Sequence, residues 1–78
     1  MHKIEIRFFG QLTDLTKSEV IFLEDLSDTE QVKKRVLELY PSLAITTFMM
    51  ALNNTMIKEK MNVDANSVIA FMPPFSGG

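Results

Sequence analysis

The chain has 78 residues, of which 46% are apolar and 23% charged, and its formal net charge is -2. This length allows one domain with one hydrophobic core, and it leaves too little protein to wall a deep active-site cleft. We therefore expect a protein that works with a larger partner and is not an enzyme on its own. Acidic and basic residues are mixed along the chain, so the sequence offers no basic stripe for nucleic acid.

Membrane insertion and thiol chemistry find no support in the sequence either. No apolar run approaches the roughly 20 residues that span a bilayer, and residues 1–5 lack the apolar stretch of a signal peptide. We expect a cytoplasmic protein without membrane contact. With no cysteine, the chain cannot carry sulfur or zinc on a thiolate of its own. His2 is the single histidine and has no neighbouring ligands, so no metal site is predicted.

The first part of the chain predicts a β-hairpin. Alternating apolar and polar residues predict a strand over residues 3–9, whose apolar face is made of Ile4, Ile6 and Phe8. Phe9 lies on the opposite, polar face. Gly10 and the polar residues 11–17 predict a loop, and residues 18–23 are rich in β-formers and predict a second strand.

One amphipathic helix follows. Its start is marked by two overlapping capping boxes, which pair Ser27 with Glu30 and Asp28 with Gln31. Apolar residues then recur at helical spacing, at Val32, Val36, Leu39 and Tyr40. Pro41 should end the helix, and a loop is expected around residues 42–46.

The last part of the chain predicts three further strand segments. Asn53 and Asn54 separate the apolar segments 48–52 and 56–57, and asparagine tolerates the left-handed backbone of a tight hairpin turn. A turn at residues 64–66 then leads into residues 67–72, a strand that is apolar on both faces. Two prolines end this strand, because proline cannot donate to a β-ladder.

The predicted order is therefore strand, strand, helix, strand, short strand, strand. The first and last strands should pair in parallel at the centre of the sheet, with the helix packed across one face. This α+β layout is the ubiquitin-like β-grasp, with a mixed sheet of four to five strands and one main helix. A ferredoxin-type sandwich would need a second helix, and the sequence offers only one convincing candidate.

The C-terminal segment is the most specific feature of the sequence. We predict a domain over residues 1–72 and an extended, flexible tail over residues 73–78. Two prolines stiffen the base of this tail, and two final glycines remove every side chain from its end. Such a thin tail suits entry into a narrow channel of another protein, with the carboxyl of Gly78 as the reactive group. The residues predicted to enter with it are Pro73, Pro74, Phe75, Ser76 and Gly77.

Three segments, together with the order of elements, carry a family resemblance: Phe8-Phe9-Gly10-Gln11, Ala51-Leu52-Asn53, and residues 69–78 with their Pro-Pro-x-x-Gly-Gly ending. They resemble the MoaD family of molybdopterin synthase small subunits, within the MoaD/ThiS superfamily of sulfur carriers. The likeness covers the whole chain. One departure lies in the turn before the last strand, where the family usually has an acidic-Gly-acidic sequence and this chain has Asp64-Ala65-Asn66-Ser67.

The resemblance implies a role for the Gly78 carboxylate. A ubiquitin-activating-type adenylyltransferase, similar to MoeB, would use ATP to convert it into an acyl-adenylate, and a sulfur donor would replace AMP to leave a thiocarboxylate. The tail would then enter a large synthase subunit, similar to MoaE, and give its sulfur to cyclic pyranopterin monophosphate in molybdenum cofactor biosynthesis. The active-site residues would belong to that partner, and this chain would bind no cofactor itself.

An apolar docking surface is also predicted. If Ile69 and Phe71 face the core, then Val68, Ala70 and Met72 face outwards beside Phe9. Outward apolar residues close to the tail are what a larger partner needs for binding. The predicted partner-binding residues are Phe9, Met56, Ala70, Met72 and Phe75.

Three other functions stay open at this point. The chain could be a protein modifier that is joined through Gly78 to a lysine of a target, since this reaction uses the same acyl-adenylate. It could be a passive ubiquitin-like interaction module that does not need its last two glycines. A thiamine-type sulfur carrier is the third, and Pro73-Pro74 argues against it because those carriers end in Gly-Gly without the proline pair.

Overall fold

A computed structural model describes residues 3–74 of the chain. It contains five strands, two α-helices and one 3₁₀ helix. In chain order these are β1 (Lys3–Phe8), α1 (Gln11–Thr16), β2 (Val20–Glu24), α2 (Thr29–Leu39), the 3₁₀ helix (Pro41–Ile45), β3 (Met49–Leu52), β4 (Thr55–Met56) and β5 (Val68–Met72). None of these helices is long and apolar enough to cross a membrane.

The five strands form one mixed sheet in the order β2-β1-β5-β3-β4. β1 and β5 pair in parallel at its centre, and every other pair of neighbours is antiparallel. This arrangement confirms the predicted β-grasp fold. The predicted second strand is displaced slightly, because the observed strand begins at Val20 and extends to Glu24.

The hydrophobic core lies between the helices and one face of this sheet. In the central pair, Ile6 lies opposite Ile69 and Phe8 opposite Phe71, and all four side chains are buried. The ring centroids of Phe8 and Phe71 are 5.7 Å apart, within the range of about 4.5–7 Å in which aromatic pairs attract each other. From the helices, the core receives the fully buried residues Leu12, Val32, Val36 and Leu43.

Helix α2 begins where the sequence predicts. Asp28 is its N-cap, and its Oδ1 accepts a hydrogen bond from the Gln31 N–H at 2.9 Å. The Gln31 side chain reaches back in turn, and its Oε1 accepts from the Ser27 N–H at 2.7 Å. The capping box that forms is therefore the second of the two predicted ones, with Ser27 as the residue that Gln31 reaches.

The segment after α2 differs from the prediction. The helix ends at Leu39, as expected from the proline that follows, but Pro41 is the first residue of a 3₁₀ helix and not of a loop. Proline is tolerated there because its missing N–H would have no partner in a first helical turn. The 3₁₀ helix places the Leu43 side chain in the core, where it is fully buried, and this burial stabilises the helical turn.

The predicted loop over residues 11–17 is wrong, because most of it forms α1. Leu12 is fully buried and Thr16 is 3% exposed, and four residues of separation place both on the same face of a helix. The Thr13 hydroxyl donates to the Phe8 carbonyl at 3.2 Å, which joins the helix to the end of β1. Lys17, with φ of 61°, ends the helix in the left-handed conformation.

Both predicted turns of the second half are confirmed. Asn53 and Asn54 connect β3 to β4 with φ angles of 50° and 73°, the positive values that a tight hairpin turn requires. Asn53 also accepts a hydrogen bond from the Val68 N–H through its Oδ1, at 2.8 Å, and so joins the hairpin to β5. Asp64 and Ser67 close the later turn through a backbone hydrogen bond of 3.0 Å.

The packing of α1 can be tested with a pair of leucines. Leu12→Ala should lower the free energy of unfolding by about 2–5 kcal/mol, because it removes a fully buried side chain from the core. Leu15→Ala is the matched control, since Leu15 lies on the same helix and is 37% exposed, and it should cost less than about 1 kcal/mol. Urea unfolding of both variants measures the difference; equal losses would show that α1 does not contribute to the core.

Candidate functional site

The face of the sheet that points away from the helices is the first part of the candidate site. The strand registers align its side chains in rows that cross the sheet. One row contains Val20, Arg7, Ala70, Ala51 and Met56, on β2, β1, β5, β3 and β4 respectively. A second row contains Phe22, Glu5 and Val68, and Met49 and Met72 form a pair near the end of β5. We call this surface the outer face.

The outer face is mostly apolar. Its most exposed side chains are Phe22, 58% exposed, Phe9, 46%, Met56, 42%, and Val20, 39%. Of the other apolar members, Ala51 is buried, and four are half-buried: Met49, Val68, Ala70 and Met72. An apolar surface that crosses all five strands of so small a domain is typical of a protein–protein contact.

Four of the predicted partner-binding residues lie on this face. Ala70 and Met72 point outwards from β5 while Ile69 and Phe71 are fully buried, as predicted. Phe9 follows the Phe8–Phe71 pair by one residue, which places it at the register position of Met72. Met56 is the fourth. The fifth, Phe75, lies outside the described residues, so its part in the face stays a prediction.

The sequence reading missed the contribution of β2 and β3, namely Val20, Phe22 and Met49. Every residue from Val20 to Leu23 is apolar, so alternation could not separate the two faces of β2. Only the pairing of β2 with β1 shows that Ile21 and Leu23 lie opposite the buried residues Ile6 and Ile4. Val20 and Phe22 must therefore point outwards.

Charged residues interrupt the apolar surface at the Arg7–Glu5 ion pair and at its edge, where Lys3 lies opposite Glu24. The Arg7 Nε donates to Glu5 Oε2, and both side chains belong to β1, the strand that separates β2 from β5. Arg7 lies between Val20 and Ala70 in its row. A partner that covers this face has to leave the ion pair hydrated or offer hydrogen bonds to it, because a buried charge without partners is costly.

The second part of the site is the base of the tail. β5 ends at Met72, and Pro73 and Pro74 follow it as the last described residues. Pro73 is half-buried and Pro74 is exposed. The predicted reactive residue Gly78, with Gly77, Ser76 and Phe75, lies outside the described residues. The roles assigned to them, the entry of Pro73 and Pro74 into a partner's channel, and the domain boundary after residue 72 all stay predictions.

Within residues 3–74, no three histidine, cysteine, aspartate or glutamate side chains come together as a metal site.

A model of the ThiS family matches residues 6–78, almost the whole chain. This chain belongs to the ThiS family. It is thus a member of a family of ubiquitin-like sulfur carriers, as the resemblance implied. The match begins at Ile6, so it includes most of the central strand pair, the outer face except Glu5, and the Gly-Gly ending.

Solved structures confirm the β-grasp fold of this ThiS-family chain. Subunit 1 of a molybdopterin converting factor from Pyrococcus furiosus is similar to it with a TM-score of 0.87 and 10% identity, over 96% of this chain and 100% of that one. Small archaeal modifier protein 1 from Methanosarcina acetivorans is similar with a TM-score of 0.83 and 17% identity, over 100% and 98%. At these identities the likeness concerns the fold alone.

A third solved structure comes from Helicobacter pylori and is a complex of subunits 1 and 2 of a molybdopterin-converting factor. The matching chain of that complex is 26% identical, with a TM-score of 0.74 over 97% of this chain and 99% of its own length. In that organism, a protein with this fold therefore works in a two-subunit assembly.

Proposed function

We propose that this chain is the sulfur-carrying small subunit of a molybdopterin synthase. The observation that carries the proposal is the continuity between the apolar outer face and the base of the tail, because Met72 belongs to the face and Pro73 follows it directly. A partner bound to this face is placed beside the start of the segment that ends in Gly77-Gly78. The two-subunit assembly from Helicobacter pylori supports a role as one subunit of such a complex.

The proposed chemistry takes place at the carboxylate of Gly78. A carboxylate resists nucleophiles, so a ubiquitin-activating-type adenylyltransferase first joins it to AMP, with ATP as the source and pyrophosphate as the leaving group. A sulfur nucleophile then forms a bond to the carbonyl carbon and AMP leaves. With hydrosulfide as the nucleophile, Gly78 then carries a thiocarboxylate. With a persulfide donor the product is an acyl disulfide, and a thiol has to reduce its S–S bond to leave the thiocarboxylate on Gly78. No side chain of this protein takes part, in keeping with a chain that contains no cysteine.

Delivery follows in the large subunit. The tail enters its active site and the thiocarboxylate sulfur passes to cyclic pyranopterin monophosphate, while the C–S bond breaks and water restores the Gly78 carboxylate. Two such transfers supply the two sulfur atoms of the dithiolene in molybdopterin. Glycines at the end of the tail let the channel walls close around the backbone. This chain supplies sulfur and a docking surface, and the large subunit supplies the groups that bind the pterin and transfer protons.

A protein modifier is the second candidate, because a lysine amine can attack the same acyl-adenylate to form an isopeptide bond. The likeness to small archaeal modifier protein 1, at 17% identity, concerns the fold, so this candidate depends on the shared chemistry of the terminus. The products distinguish the two. A carrier accumulates with one carboxyl oxygen replaced by sulfur, and a modifier accumulates as conjugates of high mass.

Deletion of Gly78 tests the role of the terminus. Thiocarboxylate formation should be lost, because the terminal carboxyl would then lie one residue short of the reactive centre of the activating enzyme. The free energy of unfolding should not change, since Gly78 lies beyond the last strand. Intact mass spectrometry after incubation with the activating enzyme, ATP and a sulfur donor detects the thiocarboxylate, and urea unfolding provides the control. Thiocarboxylate formation by the shortened chain at the level of the full chain would contradict the mechanism.

Aspartate substitutions on the outer face test docking. Met72→Asp and Phe22→Asp should weaken binding to the large synthase subunit by about tenfold or more, because each places a charge in an apolar contact. Ile45→Asp is the matched control: Ile45 is 90% exposed but lies on the 3₁₀ helix, on the other side of the sheet, and should change binding less than about twofold. Calorimetric titration measures all three, and a loss of equal size in the control would refute the assignment of the face.

A further inference from the structure

Gly10 and Pro73 make an unusually close contact at the base of the tail. Gly10 has φ of 58° and ψ of -139°, a backbone conformation that residues with a side chain rarely adopt. A Cβ at this position would lie 2.9 Å from Cγ and 3.3 Å from Cδ of Pro73. Carbon atoms that are not bonded normally stay about 3.5–4.0 Å apart, so the Pro73 ring packs where any side chain on residue 10 would have to be.

The backbone under the Pro73 ring is held on both sides. Before Gly10, the Phe9 N–H donates to the Phe71 carbonyl at 3.0 Å and continues the pairing of β1 with β5. After Gly10, its carbonyl accepts from the Thr13 N–H at 3.1 Å, which is the first turn of α1. The fully buried Leu12 anchors that turn in the core. Gly10 is therefore fixed relative to the end of β5.

Burial changes sharply along the two prolines. Pro73 is half-buried against Gly10, whereas Pro74 is exposed. Because the proline ring fixes its own φ near -65°, a fixed position of the Pro73 ring also restricts the direction in which the backbone continues. Pro73 is thus the last described residue that packs against the domain.

We infer that Gly10, supported by α1, forms a seat for Pro73 and that this seat sets the direction in which the C-terminal segment leaves the domain. Gly10 and Pro73 act as positioning residues, since neither one touches the reacting atoms. The consequence for sulfur transfer depends on the proposed function. A segment that leaves in one direction reaches a partner on the outer face at a higher effective concentration than a segment that leaves in many.

The seat itself can be tested without any partner. The chain has no cysteine, so Ser76→Cys gives a single site for a nitroxide spin label. Broadening of amide resonances by the label then reports which parts of the domain the tail approaches. In this labelled background, Pro73→Ala removes the ring that contacts Gly10, and Pro74→Ala is the matched control that removes the exposed proline.

With the seat in place, the label should broaden a restricted set of amides, and Pro74→Ala should keep that set. Pro73→Ala should spread the broadening over a larger part of the domain and reduce its maximum about twofold or more, as expected for a segment with more allowed directions. An unchanged pattern in Pro73→Ala would overturn the inference. Equal changes in both variants would overturn it as well, because the stiffness of the proline pair, and not the contact with Gly10, would then set the direction.

Gly10→Ala tests the same contact by adding a methyl group to residue 10. The added methyl group should displace Pro73 and change the set of broadened amides, although the positive φ also costs stability, which thermal unfolding measures separately. The double variant Gly10→Ala/Pro73→Ala separates the displacement of Pro73 from the loss of stability. If Gly10 acts through Pro73, the double variant should show the broadening pattern of Pro73→Ala alone. Independent, additive changes of the pattern would contradict the seat.

The effect on function is measured as adenylation of the unlabelled chain by the activating enzyme. Pro73→Ala should raise KM for the chain about tenfold with kcat changed less than about twofold, and Leu15→Ala, an exposed position of α1 outside the outer face and the tail, should change KM and kcat less than about twofold. An unchanged KM in Pro73→Ala would refute the functional consequence. If the wild-type chain is not adenylated at all, the proposed function fails, while the spin-label result still decides whether the seat exists.

Discussion

The parallel pairing of the first and last strands is the constraint on which the rest of the structure depends. Ile6 opposite Ile69 and Phe8 opposite Phe71 bring two distant parts of the chain together at the centre of the sheet, where their side chains are fully buried or nearly so. Parallel neighbours end at the same edge of a sheet. The Phe9-Gly10 connection after β1 and the segment after β5 therefore leave the sheet side by side, and Pro73 at the base of the tail lies against Gly10.

The same pairing gives β5 two different tasks. Its buried side chains, Ile69 and Phe71, pack in the core, and its outward side chains, Ala70 and Met72, lie in the middle of the outer face. A central strand has neighbours on both edges, so its backbone cannot pair with a strand of another protein. Its outward apolar side chains are therefore available only to a partner that packs on the face of the sheet. This explains why the strand is apolar on both faces in a domain with one core.

Much of this architecture could be predicted from the sequence, and the successes share a cause. The helix cap at Asp28, the Asn53-Asn54 turn and the alternation in β1 are local signals, each contained in a few neighbouring residues. Together with the order of elements they were enough to predict the β-grasp fold, and the bulk of Ile69 and Phe71 favoured their inward position. The outer face was predicted in part, through the residues closest to the tail.

What could not be predicted depends on contacts between distant residues or on very short elements. Helix α1 has six residues and buries a single large apolar side chain, Leu12, which is too little to produce a recognisable periodicity. The outward position of Val20 and Phe22 follows only from the register with β1. The contact of Gly10 with Pro73 joins opposite ends of the sequence, so no local pattern contains it.

The inferred seat resolves a conflict between two needs of a carrier. A terminus without side chains can enter a narrow channel, but the same glycines provide no contact by which the domain could direct it. Direction therefore has to come from the residues just before them, and a proline with one fixed dihedral transmits it better than any other residue. Pro73 on the backbone of Gly10 is the last place in the described chain where the folded domain can do this. Helix α1, where the sequence predicts only a loop, gains a role there, because it holds Gly10 against the end of β5.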